Sequence, residues 1–301
     1  MWIPRFACPD CRAPVSPDGS DRFSCRVCAQ TFERLEGVYR FLTKRRSDAA
    51  EPFQEQYRTV RSKEGRSDRP TEYYRKLPLV PTDDQHRSEW RIRRESYFTL
   101  RTRALAAWPE QTIRLLDAGA GNGWLAHRLA SAGHAVVALD RLDDDADGLG
   151  ACRHYSTAFA VVQADFDAMP FESSQFELVV LNGSLHYSPD PVLTLAEARR
   201  VLTKGGALAV MDSPMFTDAR DGQAMVDDQS QSLQTATGLS GIMHPGVGFL
   251  TYQRLDDAAK ALGLSARFFP SRGPLDWRVR RLVARFRIGR APSAFGVWVA
   301  R

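Results

Sequence analysis

The chain has 301 residues, of which 43% are hydrophobic and 26% are charged, and its formal net charge is +5. This length suits one large domain or two smaller ones, and the composition is typical of globular proteins rather than fibrous or disordered ones. No apolar run approaches the roughly 18 residues needed to cross a bilayer, and the first residues lack a secretory signal. These features predict a cytoplasmic protein without a membrane span.

Charge is distributed unevenly along the chain. Residues 111–263 hold 10 basic and 19 acidic side chains, whereas residues 264–301 hold 9 basic side chains and 1 acidic one. An acidic region favours a cationic ligand, and a basic region favours an anionic partner. The middle of the chain and its C-terminal part are therefore expected to face different kinds of ligand.

Four of the five cysteines form two Cys-x-x-Cys pairs near the N-terminus. Two such pairs can place four thiolates around one Zn²⁺, and a segment of about 40 residues needs such a centre in order to fold. The protein would fill all four coordination positions, so the zinc would be structural; a redox-active Cys-x-x-Cys is the alternative. We predict a zinc-ribbon domain over residues 1–42 that folds apart from the rest, with the ligands Cys8, Cys11, Cys25 and Cys28.

Residues 43–84 are polar and charged and are interrupted by prolines, which predicts a linker or an irregular arm. Its tyrosines Tyr57, Tyr73 and Tyr74 are unusual for a passive tether. Packing onto the following domain is the favoured interpretation, and covering a ligand pocket is the alternative. Residues 85–108 contain no glycine or proline and carry large apolar residues at helical spacing, which predicts a helix.

From residue 113 onward, apolar strand-like runs alternate with amphipathic helical runs. This alternation is typical of βαβ units around a buried parallel sheet. The predicted strands and helices lie at 113–118, 124–132, 136–140, 159–163, 176–181, 191–202 and 207–211. The sequence therefore predicts an α/β, doubly wound domain over residues 85–301.

The first predicted strand leads into a glycine-rich turn, DAGAGNG at residues 117–123, and then directly into a helix. Glycines at such a turn let the backbone approach a ligand closely, and a helix start favours an anionic group. Trp124 replaces the third glycine of the dinucleotide fingerprint, and Asp117 suits an ammonium or sulfonium better than a pyrophosphate. Asp140 and Asp165 end the next two strands, where they suit ribose hydroxyls and an adenine amino group. Together these features predict S-adenosylmethionine (SAM) as the ligand.

Residues 113–212 resemble the class I SAM-dependent methyltransferases, in particular the type 11-like group. The resemblance lies in LLDAGAGNG (115–123), VVALD (136–140), QAD (163–165), FELVV (176–180) and RVLTKGG (200–206). It implies a seven-stranded sheet whose last strand, at residues 295–300, runs antiparallel. It also implies that the glycine turn holds the methionyl part of SAM. The cofactor contacts expected from the residues and the resemblance are Asp117, Gly119, Gly121, Gly123, Asp140, Asp165, Phe166 and Asn182.

The N-terminal cysteine segment is similar to the zinc ribbon of rRNA guanine methyltransferases and of the small activator subunit of tRNA methyltransferases. The segment after the fourth strand, LNGSLHY at residues 181–187, departs from the Asn-Pro-Pro-Tyr/Phe motif of methyltransferases that act on amino groups. The Tyr-Ala-Pro type of segment expected of the rRNA guanine enzymes is also missing. The identity of the acceptor therefore cannot be taken from these families.

His186 and Tyr187 follow the fourth strand and are the predicted catalytic candidates. A base is needed only where the attacking atom must lose a proton, because most of the barrier reduction in methyl transfer can come from alignment. His186 is a working base, an acceptor contact or a structural histidine, and the residues alone leave these three interpretations open. Asp212 and His244 are further candidates on the acceptor side.

The C-terminal third is expected to complete the acceptor pocket. Residues 213–263 lengthen the connection after the fifth strand and are predicted to form its roof. Within residues 264–301, a cationic amphipathic helix is predicted at 275–288, followed by the last strand. Its basic face either contacts RNA or a lipid interface, or is simply solvated. The expected acceptor contacts are Asp212, His244, Trp277, Arg278, Arg281 and Arg285.

The leading functional interpretation is a SAM-dependent methyltransferase that acts on a small, anionic molecule or biosynthetic intermediate. The second is an RNA methyltransferase, which the ribbon and the basic C-terminal region favour. The third is a binding or activating module whose SAM fold no longer catalyses a reaction. The intact set of predicted cofactor contacts argues against this third interpretation.

Overall fold

The computed structural model describes residues 1–66, 69–238, 245–271, 283 and 288–301. Its strands are β1 (Val15–Pro17), β2 (Arg22–Cys25), β3 (Thr31–Leu35), β4 (Val38–Arg40), β5 (Arg114–Ala118), β6 (Ala135–Asp140), β7 (Ala160–Gln163), β8 (Phe176–Asn182), β9 (Leu202–Met211), β10 (Met215–Phe216), β11 (Leu250–Thr251), β12 (Ala266–Pro270) and β13 (Gly296–Ala300). Its helices are α1 (Lys44–Lys63), α2 (Thr71–Lys76), α3 (Arg87–Arg103), α4 (Trp124–Ser131), α5 (Pro191–Val201), α6 (Ala219–Thr237) and α7 (Tyr252–Ala261).

Seven strands form the expected doubly wound sheet, in the order β7-β6-β5-β8-β9-β13-β12. The strands from β7 to β9 are parallel, and β13 runs antiparallel to both of its neighbours. Apolar residues on both sides of β5, β6 and β8 are buried, as expected of parallel strands covered by helices on both faces. The α/β prediction and the antiparallel direction of the last strand are confirmed.

The N-terminal segment is part of the same sheet, which corrects the expectation of a ribbon that folds apart. β4 pairs in parallel with β7, so that β1 to β4 extend the seven strands to eleven. Phe6, Phe23 and Phe41 pack together, and Phe6 also contacts Phe171, which lies between β7 and β8. This interface belongs to one of the large hydrophobic clusters of the chain. The strands β1 to β4 are short and contain few apolar residues. Their sequence therefore did not indicate that they would pair with the edge of the parallel sheet.

The segment between the ribbon and residue 85 is more regular than expected, because α1 spans 20 residues and includes Pro52. Tyr73 and Tyr74 pack against the following domain, and the Tyr74 ring stacks on His154 at 4.5 Å. Tyr57 instead lines a cavity, which is the alternative that the sequence analysis had not favoured. The helix predicted at 85–108 is present as α3.

Local signals explain where several elements begin and end. Asp190 caps α5 by accepting hydrogen bonds from the backbone N–H groups of Val192 and Leu193, and Pro191 occupies the first turn. α7 begins after Thr251, whose side chain accepts a hydrogen bond from the Arg254 N–H. Of the helix predicted at 275–288, all residues except 283 and 288 lie outside the described part of the chain.

Candidate functional site

A cavity opens where β5, β6 and β8 end, at the point where the chain changes from one side of the sheet to the other. Ligands of open α/β sheets bind at this kind of switch point. The cavity contains about 980 Å³ of empty space, including the part open to solvent. Six of the residues predicted from the sequence line it, namely Gly119, Gly121, Asp140, Phe166, Asn182 and Tyr187.

The glycine turn is held against the neighbouring strand. The backbone N–H groups of Gly119 and Ala120 donate to the Leu139 carbonyl at 2.7 and 3.0 Å, and the Gly121 N–H donates to Asp140 Oδ2 at 2.7 Å. Gly119, Gly121 and Gly123 all have a positive φ, between 52° and 81°. The turn therefore needs glycine in order to bring its backbone to the cavity wall.

Two carboxyl groups, one in the cavity wall and one buried, support this turn. Asp140 accepts hydrogen bonds from Gly121 N–H and, at 2.8 Å, from Leu142 N–H, and burial raises its pKa. Asp117 is fully buried under the turn, where its Oδ2 accepts from the Ala126 N–H of α4 at 3.1 Å. Burial raises the pKa of Asp117 to about 7. Asp117 is not among the residues that line the cavity, so its contact with a ligand stays a prediction.

Asp165 is held by two arginines. Arg46 Nη1 lies 3.2 Å from Asp165 Oδ2, and Arg141 Nε lies 2.7 Å from Asp165 Oδ1. The carboxylate therefore anchors the first turn of α1 beside the cavity. The residue after it, Phe166, reaches the cavity wall. A contact of the Asp165 side chain with adenine would have to compete with both guanidinium groups.

The cavity is covered by α1, which the sequence analysis did not recognise as part of the site. Phe53, Tyr57 and Arg61 lie on one face of this helix, and the first two contact the ring of Tyr187 at 5.7 and 6.2 Å between ring centroids. Arg61 is paired with Asp147. Of the segment 213–263, which was expected to form the roof, the described residues contribute Pro245 to the wall. The i, i+4, i+8 spacing of Phe53, Tyr57 and Arg61 is the signal that could have revealed this face.

Of the predicted catalytic and acceptor residues that the structure describes, one lies in the cavity wall and two do not. Tyr187 lies in the cavity wall, whereas His186 lies behind it with Nδ1 3.1 Å from Ser213 Oγ. Asp212 has a positive φ of 55° and accepts a hydrogen bond at 2.5 Å from Ser96 Oγ on α3. Its Oδ2 is buried without a hydrogen-bond partner. The predicted residues His244, Trp277, Arg278, Arg281 and Arg285 lie outside the described residues.

The buried Asp212 is expected to make stability depend on pH. Burial raises its pKa to about 6, although Ser96 and Arg93 act in the opposite direction. Because the folded state binds this proton more tightly than the unfolded state, the stabilisation is complete at low pH and is lost as the pH rises through about 6. The free energy of unfolding of the unmodified chain should fall between about pH 5 and about pH 7.5. In Asp212→Asn this fall should be smaller by about 1 kcal/mol.

Urea unfolding at the two pH values measures this difference. Asp227→Asn is the control, because Asp227 is an exposed carboxyl group on α6. An Asp212→Asn protein with the pH dependence of the unmodified chain would contradict the assignment of a raised pKa to this side chain.

The four N-terminal cysteines form one cluster, with all Sγ atoms within 4.8 Å of one another. The Sγ atoms of Cys8 and Cys28 are 3.5 Å apart, and those of Cys11 and Cys25 are 3.4 Å apart. Four thiolates placed tetrahedrally at about 2.3 Å from Zn²⁺ would be about 3.8 Å apart, so the cluster fits this ion.

The two cysteine turns also share one backbone geometry. The Arg12 N–H donates to the Cys8 carbonyl and the Ala29 N–H to the Cys25 carbonyl, both at 2.9 Å. Both donor residues have a positive φ, 66° at Arg12 and 59° at Ala29. Two equivalent turns that face each other are what a four-cysteine zinc site requires, and the cluster fits a small zinc-ribbon domain.

The strand order, the antiparallel β13 and the cavity at the switch point define a Rossmann-like methyltransferase fold. Comparison with known proteins agrees, since residues 116–210 match a family model described as a methyltransferase domain. This region of the chain therefore resembles a methyltransferase domain. In the part of the chain that the structure describes, no helix is long and apolar enough to cross a membrane.

Two curated relatives and one solved structure illustrate the similarity. The chain is 34% identical over 100 residues to a malonyl-acyl-carrier-protein O-methyltransferase of Erwinia pyrifoliae, covering 33% of this chain and 37% of that protein. It is 30% identical over 105 residues to the ubiquinone/menaquinone biosynthesis C-methyltransferase UbiE of Allorhizobium ampelinum, covering 33% and 41%. These matches span less than half the length of either relative.

The solved structure is that of magnesium protoporphyrin IX methyltransferase (ChlM) from Synechocystis PCC 6803 with bound SAH. Its TM-score with this chain is 0.50 at 12% identity, and the match covers 76% of this chain and 92% of that one. At this identity the likeness concerns the fold.

Proposed function

We propose that the chain is a SAM-dependent methyltransferase that acts on a small, anionic acceptor. The observation that carries the proposal is one cavity whose wall combines two kinds of group. One kind is the glycine turn with Asp140, and the other is an aromatic cluster, Phe53, Tyr57 and Tyr187, together with Arg93. We assign the first part of the wall, the cofactor end, to SAM and the second part, the acceptor end, to the acceptor.

The residues at the first end fit SAM. The backbone of Gly119 and Gly121 leaves room for the methionyl part, and the Asp140 carboxylate can accept hydrogen bonds from ribose hydroxyls in addition to its two backbone donors. Phe166 and Asn182 complete this end. When bound, SAM supplies a methyl group on a sulfonium sulfur, which leaves as a neutral thioether without needing a proton.

The chain's own contribution is to bind, align and exclude water. With α1 over the cavity, the rings of Phe53, Tyr57 and Tyr187 form an apolar wall that keeps water away from the acceptor. Holding the acceptor atom at about 3 Å from the transferred methyl group, in line with the bond that breaks, can supply much of the rate enhancement. His186 does not line the cavity and is hydrogen-bonded to Ser213. Its proposed role is to position the neighbouring Tyr187, whose ring it contacts.

Three observations favour a small molecule over RNA as the acceptor. α1 covers the cavity, the aromatic wall is built for a compact apolar body, and the names of both curated relatives refer to biosynthetic acceptors rather than RNA. The basic residues that favoured RNA, including Arg278 and Arg281, lie outside the described residues. RNA binding remains the second candidate, and affinity for bulk RNA that falls steeply with salt would support it.

We further propose that Cys8, Cys11, Cys25 and Cys28 hold one structural Zn²⁺, in a ribbon over residues 1–42. The spacing of the four sulfur atoms supports this set of ligands. Residues 43–84 then act as the cover of the active site, and residues 85–301 form the catalytic domain.

Calorimetry with SAM and with S-adenosylhomocysteine (SAH) tests the proposed activity. We expect both to bind, and we expect Asp140→Asn to weaken SAH binding at least about tenfold, because an amide nitrogen cannot accept the hydrogen bonds that the carboxylate receives. Asp145→Asn, in the exposed loop that follows, is the matched control. If neither compound binds to the folded protein at millimolar concentration, the proposed function is wrong.

A further inference from the structure

The acceptor end of the cavity indicates a class of acceptor, on the condition that the proposed function is correct. We propose that this end binds the carboxylate of an acceptor with an apolar or aromatic body, and that Arg93 and Gln54 are the groups that bind it. Neither residue lies in the segment that matches the methyltransferase family model, so both are features of this chain's own N-terminal helices.

Gln54 is a buried donor that faces the cavity without a protein partner. Its side chain lies on α1 and is only 5% exposed, and it lines the cavity beside Phe53 and Tyr57. Its Nε2 has no hydrogen-bond partner among the described residues. An unpaired buried polar group costs about 1–3 kcal/mol, so a donor in this position is best explained by a ligand that accepts its hydrogen bonds.

Arg93 brings to the same cavity a positive charge that interacts with Glu89 and Asp212 only at a distance. Its guanidinium lies over the Trp90 ring, 4.7 Å from the centroid, and lines the cavity from α3. Among the described residues, no carboxylate oxygen lies within 4.0 Å of its nitrogen atoms. Arg61 of α1 also lines the cavity, but it forms an ion pair with Asp147. Arg93 is therefore available to a ligand, whereas Arg61 already has a partner.

The charge and the surroundings point to a carboxylate in particular. A guanidinium and an amide offer N–H donors that match the two oxygens of a planar carboxylate, and the positive charge of Arg93 attracts it. A phosphate dianion would leave a negative charge uncompensated beside Phe53, Tyr57 and Tyr187, where burial of charge is costly. The same rings suit an aromatic or aliphatic body next to the carboxylate.

Matched acid and amide probes test this inference in the full chain saturated with SAH. We would measure by calorimetry the binding of benzoate, 3-phenylpropanoate and octanoate, each against its own amide. At least one acid is expected to bind about tenfold more tightly than its amide. Arg93→Gln should abolish this preference, Arg93→Lys should retain part of it, and Gln54→Leu should weaken acid binding about fivefold.

Two neighbouring surface residues provide the controls. Arg94→Gln changes the next residue of α3, which pairs only with Glu95 among the described residues, and Glu55→Leu changes an exposed residue of α1. Both should retain the preference for acids. SAH affinity is measured in every variant, so that a variant with damaged cofactor binding can be recognised.

The outcomes separate this inference from the proposed function. If SAH does not bind to the folded chain, the proposed function fails. If SAH binds but no acid binds more tightly than its amide, or if Arg93→Gln keeps the preference, the carboxylate site is wrong. Tighter binding of phenyl phosphate than of benzoate would likewise overturn the choice of a carboxylate.

Discussion

Gly119→Ala is expected to destroy the cofactor end of the cavity and to destabilise the chain by about 3 kcal/mol. The φ of Gly119 is +81°, and an added Cβ would lie 2.2 Å from Ser184 Cβ and 2.6 Å from Ser184 Oγ. A left-handed backbone costs a non-glycine residue about 1–2 kcal/mol, and overpacking costs about 1–3 kcal/mol more.

Ser184 cannot move aside without further loss. Its side chain is buried, and its Oγ donates a hydrogen bond to the Ala118 carbonyl at 2.8 Å. The clash should therefore displace the turn itself, which carries Gly121 and its hydrogen bond to Asp140. We expect SAH affinity to fall at least about 100-fold, since a shift of about 1 Å misplaces several contacts at once.

Gly133→Ala is the matched control for this variant. Gly133 has a φ of +93°, but nothing lies within 4 Å of the position of an added Cβ. It therefore reports the cost of the backbone conformation alone. Ser184→Gly combined with Gly119→Ala should recover the part of the stability that the clash removes. Equal destabilisation by Gly119→Ala and Gly133→Ala in urea unfolding would show that the turn is not tightly packed against Ser184.

The parallel sheet could be predicted from the sequence because its strands are buried on both faces. Such strands are nearly continuous apolar runs, and the predicted 136–140 and 176–181 differ by only one residue at one end from β6 (Ala135–Asp140) and β8 (Phe176–Asn182). The glycine turn could also be located, because its positive φ values require glycine at fixed places. The position of Asp140 at the end of β6 follows from the same register.

The cover of the cavity could not be predicted, because tertiary contacts rather than local pattern create it. α1 has a low apolar content and contains Pro52, both of which argue against a helix in isolation. Its ends are instead tied to the domain by Arg46 with Asp165 and by Arg61 with Asp147. These pairs join residues 86 to 119 positions apart, which no local reading of the sequence connects.

Loss of a proposed zinc ligand is expected to affect the whole chain, since the ribbon and the sheet share a core. The aromatic cluster of Phe6, Phe23 and Phe41 reaches Phe171, and β4 continues the sheet at β7. A bound structural zinc contributes on the order of 10 kcal/mol to folding, so Cys25→Ser should unfold the ribbon and expose this side of the sheet. We expect the melting temperature of the chain to fall by more than about 10 °C.

Loss of the ribbon should also weaken SAH binding, because Arg46 lies between the ribbon and Asp165. Its Nε lies 4.0 Å from Asp10 in the first cysteine turn, and its Nη1 lies 3.2 Å from Asp165. When the turn unfolds, Arg46 and the start of α1 lose their support on the ribbon side. We therefore expect Cys25→Ser to weaken SAH binding by about tenfold, because a shift of the helix that covers the cavity misplaces its contacts.

Metal analysis, thermal melting and SAH calorimetry on the same samples separate the two effects. Cys152→Ala is the control for zinc content alone, because Cys152 lies outside the four-cysteine cluster but packs against the glycine turn. Arg46→Gln should weaken SAH binding while zinc content stays at one ion per chain, since it breaks the link without touching a ligand. A chain that contains no zinc, or a Cys25→Ser protein that melts like the unmodified chain, would show that the cluster is not a metal site on which the shared core depends.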